Sequence, residues 1–93
     1  MVVGVCRIEL HLPNGASLKG KRQVLKSLKD RIKNRFNVSI AEVEEHDLWQ
    51  KAVLAVACVG REQFYVKQTM SQVLGIIRGN PAVVVLHCDV EMM

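Results

Sequence analysis

The strongest constraint on this chain is the order in which its hydrophobic periodicity changes. From Val2 to Leu12 side chains alternate: Gly4, Cys6, Ile8, Leu10 and Leu12 share one parity, while Arg7, Glu9 and His11 occupy the other. That two-residue period is the pattern of a half-buried strand. Pro13-Asn14-Gly15 is turn chemistry, and Ser17 can cap a following helix. Leu18, Leu25, Leu28, Ile32 and Phe36 then lie at offsets of 0, 7, 10, 14 and 18, which predicts an amphipathic helix from about Ser17 to Arg35.

Asn37 to Glu45 reads as a second strand whose apolar residues switch parity between Val38/Ile40 and Ala41/Val43, the mark of a β-bulge or a twisted edge. Trp49 to Val59 gives a third strand. Val66, Met70, Val73, Leu74 and Ile77 define a second helix over Glu62 to Arg78, which Gly79-Asn80-Pro81 ends, and Ala82 to Val90 completes the set. The order β-α-β-β-α-β, with right-handed crossovers, predicts one α+β ferredoxin-like domain over residues 1–93: a four-stranded antiparallel sheet with both helices on one face. Helix-facing positions are then Cys6, Ile8 and Leu10, Leu54, Val56 and Cys58, and Val84, Leu86 and Cys88.

At 93 residues the chain has room for one core only. The three cysteines are odd in number, far apart and within apolar runs, so they read as reduced core thiols without a metal or cofactor. The apolar runs are too short to cross a membrane, no export signal is visible, and a cytoplasmic location is expected.

The opposite sheet face would hold Val3, Val5, Val53, Ala55, Ala57, Val59, Val83 and Val85 beside Arg7, Glu9, His11, His87 and Asp89. Such a face is too apolar for plain solvent surface, which predicts a homodimer through sheet-to-sheet or edge contact centred on Val5, Ala55, Ala57 and Val85. Trp49, just after the hairpin turn, either covers the sheet edge or anchors a partner. The His11, His87, Glu9 and Asp89 grouping has no local ligand spacing and reads as ordinary alternation on a solvated strand face.

Charge is segregated. Ser17 to Arg35 carries eight basic residues and one acid, a net of +7 in a chain whose total is +4. Lys19, Arg22, Lys26, Lys29 and Lys33 fall on one stripe beside the apolar face, and with Lys21 they form the candidate phosphate-binding set for RNA or the ribosome. Contact with the acidic hairpin of another copy is the competing use. No aromatic lies on the third strand from Lys51 to Val59, so base stacking of the RNA-recognition type is not expected. No nucleophile, base or paired carboxylate can be assigned, and neither an enzyme nor a small-molecule substrate is indicated.

Ser17-Leu18-Lys19-Gly20-Lys21-Arg22, Val24-Leu25-Lys26-Ser27-Leu28, Arg35-Phe36-Asn37-Val38-Ser39, Ala41-Glu42-Val43 and Asp47-Leu48-Trp49-Gln50 together resemble the YlxP-like family of small bacterial proteins. The resemblance spans nearly the whole chain and is weakest after Arg78. It implies a ferredoxin-like fold and a gene neighbourhood often shared with translation initiation factor 2 and ribosome-binding factor A. It brings no catalytic residue and no cofactor.

Overall fold

The computed structural model describes residues 1–93 and contains β1 (Val2–His11), α1 (Leu18–Arg35), β2 (Ser39–Glu44), β3 (Lys51–Gly60), α2 (Gln63–Arg78) and β4 (Val84–Met92). One sheet has the order β2-β3-β1-β4 with every neighbour antiparallel. A single apolar cluster joins Leu25, Leu28 and Ile32 of α1 and Val66, Met70, Val73 and Ile77 of α2 to Cys6, Ile8, Leu10, Leu54 and Val56 of the sheet. Both helices therefore cover one face, as the order of periodicities implies. The fold is ferredoxin-like.

Local chemistry sets the element boundaries. Ser17, in extended backbone, accepts a hydrogen bond on its Oγ from the Gly20 N–H at 3.0 Å and so satisfies one free donor of the first turn of α1. Lys33 and Arg35 lie in the last turn, where the helix dipole favours cations. The parity switch in the second strand is a register shift against β3 between Glu42 and Glu44, which leaves Val43 without a partner.

The fourth strand departs from simple alternation. Val84 and Leu86, expected inside, are 47% and 55% exposed, while Val83 is buried and Val85 packs against the core. The cause is a second register shift: Glu9 pairs with His87 but Leu10 pairs with Val85, so Leu86 is the extra residue. One inserted residue exchanges the faces before and after it. Cys88 keeps its inward position opposite Ile8, half-buried, while Val85 leaves the outer face.

Close approach of α2 to β1 and β3 depends on two glycines. A Cβ on Gly4 would lie 2.6 Å from Val66 Cγ1, and one on Gly60 would lie 2.8 Å from Val66 Cγ2. Valine in a helix has essentially one χ1 rotamer and cannot move aside. Gly4→Ala is therefore expected to destabilise the protein by about 1–3 kcal/mol despite the usual advantage of Ala over Gly in a strand. Urea unfolding checks this, and adding Val66→Ala should recover part of the loss.

Candidate nucleic-acid interface

Lys21, one of the expected phosphate ligands, is not on the surface. It is 1% exposed, and its ammonium donates to the carbonyl oxygens of Glu45 and Leu48 at 2.6 Å each. Glu42 Oε2 lies 2.8 Å from the same nitrogen. That buried oxygen has no directed hydrogen bond, so its attraction to Lys21 is coulombic. The three-way contact secures the β2–β3 turn, where Glu45 adopts a left-handed φ of 65°, to the first turn of α1. Lys21 is removed from the set that can meet a ligand, because its ammonium is buried against two carbonyls and a carboxylate.

A sequence signal for this burial exists. Leu25, Leu28 and Ile32 follow Lys21 at 4, 7 and 11 residues, so the lysine lies on the apolar stripe of α1 while the other cations lie on its flank.

The flank itself matches the expected geometry. Lys19, Arg22, Lys26 and Lys33 are exposed and Lys29 is half-buried, all on α1. Lys26 pairs with Asp30 at 2.7 Å in an i,i+4 bridge, and that hydrogen bond holds the Asp30 carboxyl below its ordinary range. Lys19, Arg22, Lys29 and Lys33 have no acidic partner within salt-bridge distance. Arg31 and Arg35 line a cleft of about 300 Å³ between the helices with Phe36, Gln72, Ile76 and Gly79.

On the outer sheet face, Val5 sits opposite Ala57 and Arg7 opposite Ala55, so these expected interface residues do come together, with Val3, Ala41 and Val59 around them. Val85 does not join them. The other end of the face is polar and internally paired. Arg7 bonds Glu9 at 2.9 Å and also Glu44, and the Arg7 hydrogen bond holds the Glu9 carboxyl below its ordinary range. Val53, which lies between Glu9 and Glu44 in register, is 1% exposed although it is outside the main core.

His11 Nδ1 lies 3.1 Å from the Gln50 carbonyl, and His87 Nε2 lies 3.0 Å from Asp89 Oδ1, so the two histidines serve different partners. No three His, Cys, Asp or Glu side chains converge on a metal position. Trp49 lies in the turn before β3 and is 47% exposed, beside the equally exposed Leu48. Its carbonyl oxygen would be 2.7 Å from a Cβ on Gly15, so the two loops at this end abut through backbone. Phe64 and Tyr65 form an exposed edge-to-face pair, ring centroids 5.3 Å apart, on the first turn of α2. Their consecutive positions fall outside the helical apolar period, which is the sequence signal for exposure.

Residues 3–90 match the family described as "Protein of unknown function (DUF503)", and the chain belongs to that family. It is 33% identical over 82 residues to the uncharacterized protein YlxP of Bacillus subtilis (strain 168), covering 88% of this chain and 89% of that one. Among solved structures, the de novo designed protein Foldit4 aligns with a TM-score of 0.57 at 11% identity, covering 100% of this chain and 97% of its own. The designed protein Ferredog-Diesel gives 0.50 at 17%, covering 98% and 84%. At such identity the likeness concerns the fold alone. No helix is long and apolar enough to cross a membrane.

Two outcomes follow from the burial of these groups. Lys21→Met is expected to cost about 3–5 kcal/mol, because it leaves a buried carboxylate and two carbonyls without their cation. Lys19→Met should stay within about 0.5 kcal/mol, as exposed positions do. Urea denaturation of the two variants separates them. Burial, followed by the proximity of Cys88 and Asp89, pushes the Cys6 thiol up to about 11, so native Cys6 should resist alkylation at pH 8 and react only on unfolding. Mass spectrometry of the pulse-labelled chain reads this out.

Proposed function

We propose that the protein is a non-enzymatic RNA-associated factor that docks the basic flank of α1 on phosphates, with the ribosome as the RNA-rich target. One observation carries this reading: Lys19, Arg22, Lys29 and Lys33 share a flank of α1 and have no acidic partner, whereas Lys21 and Lys26 of the same helix, and Arg7 of β1, are paired. A row of unneutralised cations along a helix is electrostatically costly alone and is relieved by a phosphate backbone, which releases its counterions on contact. The half-exposed Trp49 and the Phe64/Tyr65 pair add aromatic surface, but the reading rests on backbone charge, with no base-specific contact.

Binding to a ribosomal RNA fragment should fall steeply with salt. Four phosphate contacts imply a slope of about −3 to −4 in log K against log salt, a loss of roughly 10²-fold between 50 and 200 mM. Charge reversal of Lys19, Arg22, Lys29 and Lys33 together should abolish retention, while reversal of Arg61 and Lys67, off this helix, should leave most of it. Filter binding across a salt series decides the matter: salt-independent or absent retention of the unaltered protein defeats the reading.

A further inference from the structure

The sheet has two free edges, and they differ. β2 has six residues, is bulged at Val43, and carries Glu42 and Glu44 tied into ion pairs. Short, bulged and charged strands are how natural sheets prevent edge-to-edge pairing. β4 has nine residues and neither Lys nor Pro; its own bulge, at Leu86, lies near its start, and its acids are Asp89 and Glu91. From His87 to Met92 its register with β1 is unbroken, and reciprocal hydrogen bonds between Val3 and Met93 hold the strand to its end. On the side away from β1 its backbone donors and acceptors meet no other strand. Leu86 and Val90 on this strand are 55% and 46% exposed.

We propose that β4 pairs antiparallel with β4 of a second copy of this chain, on a two-fold axis through Cys88, to give a continuous eight-stranded sheet. The register follows from which side chains would face each other across the axis. Centring the axis on Cys88 sets His87 opposite Asp89 of the second copy, twice by symmetry, and sets Leu86 opposite its Val90. Opposite charges directly across a strand pair stabilise it, and like charges oppose it. Centring on Asp89 places that carboxylate against itself, and centring on Val90 places Asp89 against Glu91. Only the Cys88 centre sets an imidazole opposite each Asp89 carboxylate and Leu86 opposite Val90 without bringing two carboxylates together.

A second observation agrees. Between α2 and β4 runs an open groove of about 310 Å³ lined by Met70, Leu74 and Val90 with Lys67, Ser71 and Arg78. It lies along the same edge, so a second copy that extends the sheet closes its apolar floor. A two-fold edge pairing of this type is isologous and stops at two chains. The pairing is independent of the RNA reading, since it uses no residue of α1.

Sedimentation of the unaltered protein at 5–100 µM, a range of the order set by micromolar affinities, should show a dimer. His87→Asp should weaken it about tenfold by setting like charges across the axis, and the double exchange His87→Asp with Asp89→His should restore it. Both positions are exposed, so folding is not at stake. In a Cys6→Ser, Cys58→Ser variant, diamide should join Cys88 of the two copies: it takes up the two thiol hydrogens as the S–S bond forms. A monomer at 100 µM overturns the proposal, as does a dimer unaffected by His87→Asp but lost on Ala57→Glu. A dimer that forms no Cys88 crosslink overturns the register.

Discussion

The Lys21 ammonium is the contact on which the arrangement of the first helix and the central hairpin depends. A buried lysine is tolerable only if its charge is answered, and here two carbonyls of the β2–β3 turn accept its hydrogen bonds while the Glu42 carboxylate supplies the opposite charge at 2.8 Å. None of these partners is near Lys21 in sequence. The turn, including the left-handed Glu45, is thus tied to α1 by contacts far apart in sequence. Lys21 exchanges a possible role in ligand binding for one in folding, and the flanking cations keep the surface.

The order of elements, the Ser17 cap, the inner faces of β1 and β3, and the bulge near Val43 were legible because each rests on local periodicity or a single side chain. The faces of β4 were not. Val83 to Cys88 contains apolar residues at both parities, so nothing in the strand itself locates the extra residue; the shift is set by which residues of β1 it meets. Lys21 was misplaced for a different reason. Its residue type argues for solvent while its position argues for the core, and the answer lies in carbonyls 24 and 27 residues away that no local window contains. Val53 likewise has the outward parity expected of it but is covered by a neighbouring ion-pair cluster.

That cluster also alters the meaning of the net charge. Glu9 and Glu44 are engaged by Arg7, Glu42 by Lys21 and Asp30 by Lys26. Four of the nine acids are thus neutralised at short range. The total of +4 understates the field at α1, because the cations left unpaired are concentrated there while the unpaired acids, Glu45, Asp47, Glu62 and Glu91, are dispersed over turns and strand ends.

The sheet order decides how such a field would be presented by a pair of chains. α1 packs beside β2, and β2 is the edge opposite β4. Joining two sheets at β4 would leave both β2 edges, and both basic helices, at the far ends. Seven strand spacings at about 4.8 Å each separate the outer strands by roughly 34 Å before twist is considered. Two cationic rows at that distance, each too short to bind tightly alone, would meet one long polyanion with the second contact made intramolecular. A pair joined through the outer face at Val5, Ala55 and Ala57 would instead stack the sheets and direct the helices to opposite sides, where one strand of RNA could not reach both without wrapping around the particle. The strand order thus makes the unprotected edge and the basic flank compatible in a single assembly.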